Sequence, residues 1–371
     1  MENLSNICVV LPSLDPDQKL LTVIDGLLFQ GFSHIVLVND GSKPENIHYF
    51  ETAAQHKEVR LLHHPQNRGK GAALKTAFSY VLENFPDCAG VVTVDGDNQH
   101  HPEDTAACVR NMLRTGHLTL GVRDFDQPDV PPRSRFGNKT TSLVFKFFVG
   151  MTISDTQTGL RAIPAKDLPL MISIAGDRFE YETNMLLAIK RENLSFDEVK
   201  IRTVYIEENQ SSHFRVIRDS WRIYKLILAH FFRYTAVSLL SALLDNGIYA
   251  LLSWIFGVLA GDSAIALLGI QLTAVCTLGA RIVSSLFNFF MNKKVVFQTE
   301  VSTKTAMVRY YTLAVPIALG QILLTQGVYT LLQIGNGQVF LRSIIYAIVM
   351  VALYLVSFLV QQRWVFAKEN S

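Results

Sequence analysis

The chain has 371 residues, enough for two domains, and 34 basic against 32 acidic side chains leave a formal charge of only +2. That balance excludes the basic footprint expected of a nucleic-acid-binding protein. Mean hydropathy is +0.23, high for a soluble protein, and the apolar residues are unevenly placed. Strand-like runs alternate with helical patterns up to about Asp219, and from Phe231 onward the chain is dominated by long apolar segments.

Ile7 to Pro12 reads as a first buried strand. After Pro16, the spacing of Leu20, Leu21, Ile24, Leu27 and Leu28 predicts a helix. His34 to Asn39 is a second strand, ending in the Asp40-Gly41-Ser42 turn. A strand-end acid can accept hydrogen bonds from a base or ribose, and the same residues suit a plain turn. Val59 to His63 is a third, shorter strand. Asn67-Arg68-Gly69-Lys70-Gly71 then opens a helix through Tyr80 and lacks the spacing of a Walker loop. Its two glycines allow close backbone approach at a helix start, where Lys70 can meet a phosphate; a plain helix-entry loop is the alternative.

Gly90 to Val94 is a short apolar run that ends in Asp95-Gly96-Asp97. Two carboxylates one residue apart at a strand's C-terminal end lie where open α/β sheets bind ligands. They can hold a divalent cation, and the cation can neutralise a diphosphate. Asp-Gly is also a turn dipeptide. The βαβα order predicts a mostly parallel, right-handed sheet, with the Asp40 strand beside the Asp95 strand.

Arg123 opens the next stretch, and Arg133, Arg135 and Lys139 follow a turn at 128–132. Asn138 to Val149 reads as an amphipathic helix with Leu143, Val144, Phe147 and Phe148 on its apolar face. Cations beside an apolar helix suit the head and chain of a lipid phosphate, or form a solvated basic loop. Residues 214–231 carry Arg215, Arg218, Arg222 and Lys225 at helical spacing with Trp221 and Tyr224, as an interfacial amphipathic helix would. The division expected is therefore 1–213, the 214–231 helix, and 232–371.

Four apolar segments, about 232–256, 264–291, 308–333 and 339–361, are each long enough to cross a ~30 Å hydrocarbon core. Arg218, Arg222, Lys225 and Arg233 precede the first; Lys293, Lys294, Lys304 and Arg309 lie between the second and third; Arg363 and Lys368 follow the last. The other two turns hold only Arg342, so both termini and the first domain are expected on the cytoplasmic side. No secretory signal is read at the start, where Ile7 to Leu11 is too short and early positive charge is missing. Cys8, Cys88, Cys108 and Cys276 show no paired metal spacing, and a cytoplasmic site argues against disulfides and against use of the sequon at Asn209.

The spans contain a weak parallel repeat. Arg233-Tyr234 is echoed by Arg309-Tyr310, Gly247 to Leu252 by Gly327 to Leu332, and Lys293 to Phe297 by Gln362 to Phe366, with a gap needed to align them. Asp245 and Arg281, each ~15–20 Å deep from the cytoplasmic ends, are placed to pair. Gln361-Gln362-Arg363-Trp364 has one residue between Gln361 and Arg363 rather than the two of a Gln-x-x-Arg-Trp motif, and reads as an interfacial anchor.

Five motifs in order resemble the GT-A, family-2 glycosyltransferases, and among them the polyprenyl-phosphate sugar synthases of the dolichol-phosphate mannose synthase type. They are Val38 to Ser42, Asn67 to Gly71, Asp95 to His100, Ser154 to Gly159, and Phe179 to Glu182, within about the first 215 residues. The resemblance implies a Rossmann-like GT-A α/β catalytic domain with a mostly parallel sheet, followed by an all-α four-span transmembrane domain. It implies an inverting transfer from a UDP- or GDP-linked sugar to a polyprenyl phosphate. Asp95 and Asp97 would hold Mg²⁺ or Mn²⁺, while Pro12, Asp40, Lys70 and Gly96 would join Asp95 around the nucleotide sugar. Asp97, Gln99 and Asp155 would be the catalytic set, Gln99 beside the sugar or acceptor and Asp155 orienting acceptor or cation. Arg123, with Arg133 and Arg135, would bind the acceptor phosphate, and Glu180 and Glu182 would position sugar or arginines or support the fold. The chain departs from the family where Pro12 to Asp17 replaces a Tyr-Asn-Glu-like triplet; Asp15 or Asp17 is the candidate substitute. Residues 232–367 resemble GtrA-like membrane domains. The resemblance also implies a bacterial inner membrane and leaves a homo-oligomer open. Two other readings stand beside it: transfer to another lipid or glycan, and a lipid-linked-sugar flippase or platform whose first domain only recruits substrate.

Overall fold

The computed structural model describes residues 4–127, 130–202, 221, 224–259, 272–335 and 337–367. The sequon at Asn209, the basic residues Arg215, Arg218, Arg222 and Lys368, and the start of the second predicted span lie outside them. The chain divides into two compact units, Met1–Ile227 and Leu228–Ser371.

The first unit is built on a seven-stranded sheet of order β3-β2-β1-β4-β6-β5-β7. Its strands are β1 Ile7–Ser13, β2 His34–Asn39, β3 Val59–His63, β4 Gly90–Thr93, β5 Leu118–Arg123, β6 Arg161–Pro164 and β7 Phe196–Ile201. All neighbours run parallel except β6, which is antiparallel to both β4 and β5. β1 lies between β2 and β4, so the Asp40 strand is not beside the Asp95 strand. The apolar run of β1 is wholly buried and takes the central position, which separates them.

Helices cover both faces, as expected for strands that read as continuous apolar runs. The helices are α1 Lys19–Phe29, α2 Ile47–Ala53, α3 Lys70–Asn84, α4 Pro102–Thr115, α5 Pro132–Phe148, α6 Leu168–Ser173 and α7 Glu180–Arg191. Side chains alternate along the strands: Cys8, Val10, Val36, Val38 and Val91 join α3, α6 and α7 in one core. Ile7, Val9, Leu11, Ile35, Leu37 and Val92 join α1, α2 and α4 in the other. Cys8 and Cys88, far apart in sequence, meet across the sheet with sulfurs 3.5 Å apart, and all four cysteines are free and buried.

Helix α5 divides the apolar face read from the sequence between core and surface. Asn138, Thr141 and Phe145 are buried at i, i+3, i+7, and Val144 and Phe148 pack partly against the core. Leu143 and Phe147 instead point outward with Phe136, 54, 42 and 74% exposed. The polar residues win the inner face because they find partners there. Asn138 Nδ2 donates to the Ser154 carbonyl at 2.8 Å, and Thr141 Oγ1 lies 3.1 Å from the Tyr224 hydroxyl.

Among the described residues the second unit holds four helices long and apolar enough to cross a membrane: α8 Ala229–Leu259, α9 Leu272–Met291, α10 Thr303–Leu331 and α11 Val339–Val360. Leu239, Leu243, Ile322, Leu323 and Ile348 are among many exposed apolar side chains on them. The internal repeat is real in three dimensions. The exit helices α9 and α11 each finish in one π-helical turn, Asn292–Val296 and Gln361–Val365. Asn292 and Gln361 open those turns, are buried, and bond each other at 3.3 Å. Tyr234 of the first hairpin donates to Ser357 of the second at 3.2 Å, and Tyr310 of the second donates to Asn288 of the first at 2.9 Å. Phe297 stacks on Phe366 with centroids 5.0 Å apart.

Asp245 and Arg281 do pair, at 3.5 Å, and Ser284 Oγ donates to the other Asp245 oxygen at 2.8 Å. This pair has no counterpart in the second hairpin, where the equivalent of Asp245 is Thr325.

Tyr234 also accepts from Gln361 at 3.1 Å, so its hydroxyl has more partners than that of Tyr310. Tyr234→Phe is therefore expected to lower the melting temperature of the detergent-solubilised protein more than Tyr310→Phe, each by the loss of ~1 kcal/mol per interhelical bond. Equal or reversed shifts would contradict this arrangement.

Candidate active site

The site lies at the C-terminal edge of the sheet, beyond β4. Strand β4 stops at Thr93, and Asp95 and Asp97 sit in the turn that follows. Asn98 adopts φ 62°, a left-handed conformation that asparagine tolerates, and closes that turn. Gln99 N donates to Asp97 Oδ1 at 3.1 Å.

Lys70, the first residue of α3, reaches this turn from a neighbouring element. Its Nζ lies 2.8 Å from Asp95 Oδ1 and 3.0 Å from Glu182 Oε1 on α7. Burial alone would pull the Lys70 pKa down, but Asp95 and Glu182 outweigh it and hold the ammonium charged. Burial also disfavours the charge on Asp95, yet Lys70, then His100 and Arg123, keep its pKa below the usual carboxylate range. Asp97 goes the other way: burial and the charge of Asp95 raise its pKa. The corner thus carries more negative charge than Lys70 neutralises.

That excess is what a hard divalent cation relieves. Among the described residues no three His, Cys, Asp or Glu side chains converge on one point. Asp95 and Asp97 offer two carboxylates, so a cation held there would take its remaining oxygens from phosphate and water.

Gly96 supports the turn passively, since a Cβ there would make ordinary contact with Leu11 and Leu20. Gly159 is different. A Cβ there would fall 2.4 Å from Asp95 Oδ2 and 3.2 Å from Lys70 Nζ. Pro12 is half-buried near the end of β1.

The glycines of the Asn67–Gly71 loop serve packing rather than a ligand. A Cβ on Gly69 would lie 2.3 Å from the Asp177 carbonyl, and one on Gly71 2.5 Å from Tyr181 Cβ. Two of the loop's amides and the one that follows it are also taken. Asp40 accepts from Arg68 N at 3.0 Å and Gly69 N at 2.7 Å, and the Asp177 carbonyl accepts from Ala72 N at 3.0 Å. Asp40 is buried and further bonded to His64 Nδ1 at 2.6 Å. Its carboxylate therefore anchors the loop that carries Lys70, and its hydrogen-bonding capacity is directed inward.

The loop acids after β1 divide clearly. Asp15 accepts from Lys43 N at 2.8 Å and Asn46 Nδ2 at 3.2 Å, tying the β1 and β2 exit loops together at the same sheet edge. Asp17 instead accepts from Lys19 N at 2.8 Å at the start of α1.

Arg123 ends β5 and forms a two-pronged pair with Asp155: Nε to Oδ2 at 2.7 Å and Nη2 to Oδ1 at 3.2 Å. Asp155 is fully buried, while the Arg123 side chain is 25% exposed. The geometry makes Asp155 a holder of Arg123. Arg123 in turn acts electrostatically on Asp95 and His100, so it belongs to the same corner. Arg135 is committed elsewhere: it donates to the carbonyls of Phe125 at 2.9 Å and Gln127 at 2.7 Å. The side chain of Arg133 lies outside the described residues. Glu180 accepts from Arg178 N at 3.3 Å at the start of α7, away from the Lys70 contact that Glu182 makes.

Three residues given no role from the sequence belong here. His100 is buried against Asp95, and burial lowers its pKa in spite of the two nearby aspartates. Arg161 is buried and donates to the carbonyls of Thr158 at 3.1 Å and Glu182 at 2.8 Å, tying the Asp155–Gly159 segment to α7. His64 bridges Asp40 to Thr76 Oγ1 at 3.0 Å. An arginine and two histidines beside strand ends were visible signals, but their partners are distant in sequence.

Residues 8–166 match the family Glycosyl transferase family 2. The chain carries a family 2 glycosyltransferase domain. An uncharacterized protein of Methanocaldococcus jannaschii is 29% identical over 235 residues, covering 62% of this chain and 94% of that one. The UDP-N-acetylglucosamine–dolichyl-phosphate N-acetylglucosaminyltransferase of Methanococcus voltae is 24% identical over 242 residues, covering 60% of this chain and 95% of that one. The mannosyl-3-phosphoglycerate synthase structure from Rubrobacter xylanophilus superposes with TM-score 0.48 and 17% identity, over 62% of this chain and 74% of that one.

Two predictions test this glycosyltransferase site. Arg123→Met strands the buried Asp155 carboxylate and is expected to cost about 3–5 kcal/mol in urea unfolding, more than Asp155→Asn, which leaves a partly exposed arginine. The reverse order would contradict the pairing. Gly159→Ala meets only flexible side-chain ends at its closest contacts, so the fold should persist while Asp95 is displaced. The expected result is a circular-dichroism melt within a few degrees of wild type with transferase activity at least tenfold lower, and unchanged activity would refute it.

Proposed function

We propose that the protein transfers a sugar from a nucleotide-diphosphate sugar to a polyprenyl phosphate at the cytoplasmic face of a membrane, with inversion. The observation that carries this reading is the joining, in one corner, of an Asp-x-Asp carboxylate pair and an arginine held by a buried aspartate, on a chain with four membrane-length helices. The dolichyl-phosphate acceptor of the Methanococcus voltae relative supports the same acceptor class.

Asp95 and Asp97 would hold Mg²⁺ or Mn²⁺, which supplies charge relief to the departing diphosphate. Lys70 adds a second positive charge beside that diphosphate. Arg123, stacked 5.1 Å over Phe125 and fixed by Asp155, offers its planar cation to the acceptor phosphate. An acceptor phosphate oxygen attacks the anomeric carbon, a new C–O bond forms, and the bond to the diphosphate breaks on the opposite side. A phosphate is already ionised at neutral pH, so no strong general base is required. Neutral His100 and the carboxylates therefore serve positioning and electrostatics rather than proton removal.

The outward stripe of Phe136, Leu143 and Phe147 on α5, with Lys139 beside it, suits the chain and head of a lipid acceptor. Asp15 is the acid best placed to meet the nucleoside. Lys293 and Lys294 after α9, with Lys304 and Arg309 in the first turns of α10, support a cytoplasmic position for that turn and hence for the first unit.

The test is a lipid-extraction assay. Purified protein receives polyprenyl phosphate, Mg²⁺ or Mn²⁺, and labelled UDP- and GDP-sugars one at a time. Label is expected in the organic phase with one donor and at least a hundredfold less with Asp97→Asn. Absence of transfer from every donor, with nucleotide binding intact, would move the acceptor to another lipid or glycan.

A further inference from the structure

Lys70 occupies the position against Asp95 that a metal ion would need. Its ammonium is 2.8 Å from Asp95 Oδ1 and 3.0 Å from Glu182 Oε1, and the three side chains are only 18, 30 and 16% exposed. Two cations on one carboxylate repel strongly in such a site. The other oxygen of Asp95 faces Gly159, where a Cβ would fall 2.4 Å from it, so there is little room on that side. Glu182 is on α7, whose backbone at that residue is pinned by buried Arg161 at 2.8 Å. The flexible element is the lysine stem, which can swing away from Asp95 with Glu182 as its pivot.

We propose that Lys70 is an exchangeable counter-ion that couples metal binding to donor binding. It neutralises Asp95 in the empty site, and yields that place to the cation when a diphosphate arrives to receive the ammonium. Metal alone must displace Lys70 without compensation; metal with nucleoside diphosphate need not. This inference rests on the reading of Asp95 and Asp97 as the metal carboxylates.

The test is Mn²⁺ binding to the full-length protein in detergent, followed by electron paramagnetic resonance of free Mn²⁺, with and without UDP or GDP. Wild type is expected to bind Mn²⁺ about tenfold tighter with the accepted nucleotide, a coupling of ordinary size. Lys70→Met should bind Mn²⁺ about tenfold tighter than wild type without nucleotide and lose most of the enhancement. Lys70→Gln keeps a hydrogen-bond donor without the charge and should change in the same direction. Glu182→Gln leaves the ammonium to Asp95 alone and should weaken nucleotide-free binding. A merely structural lysine would give weaker or unchanged binding in the Lys70 variants, and that result overturns the proposal. Wild-type Mn²⁺ binding that is absent with both nucleotides, or is unaffected by Asp97→Asn, overturns the metal reading itself.

Discussion

The ammonium of Lys70 joins three elements that the chain brings together from far apart: the start of α3, the turn after β4, and α7. The elements around it are arranged so that this one bridge can form. Asp40 and His64 hold the loop before Lys70, the glycines at 69 and 71 let α7 and the residues before it close on the loop, and Gly159 leaves room for Asp95. Each partner is bonded or packed on its far side, which is how a polar site stays ordered at a sheet edge that also has to admit a ligand.

The same logic separates positioning groups from groups left to meet a substrate. Asp40, Asp155 and Arg161 are buried and satisfied by protein atoms. Asp95, Asp97, Lys70 and Arg123 keep partial exposure. The pKa of Asp97 is raised by burial and by Asp95, so added positive charge beside it would be favourable.

The first four strands were legible because β1, β2 and β4 are unbroken apolar runs and each ends in a polar turn. β6 was not, since four residues that begin with an arginine carry no periodic signal; its place depends on pairing with β4 and β5. The Asp-x-Asp corner and Lys70 were readable as local motifs. Their contact was not, nor the commitment of Asp40 and Arg135 to main-chain partners, because those bonds cross 28 or 29 residues in one case and depend on loop shape in the other. Helix α5 shows what apolar lettering leaves out: Asn138 and Thr141 take the inner face through hydrogen bonds that no hydrophobicity pattern records. In the second unit the repeat read as echoed letters proved to be a set of reciprocal contacts, Tyr234 to Ser357 and Tyr310 to Asn288.

A diffraction experiment on crystals grown with Mn²⁺ and the accepted nucleoside diphosphate, recorded at the manganese absorption edge, would locate the ion. The account predicts an anomalous peak between the Asp95 and Asp97 carboxylates, touching the diphosphate, with Lys70 Nζ moved off Asp95 toward the phosphates. A peak elsewhere, or Lys70 still 2.8 Å from Asp95 beside a bound diphosphate, would contradict it.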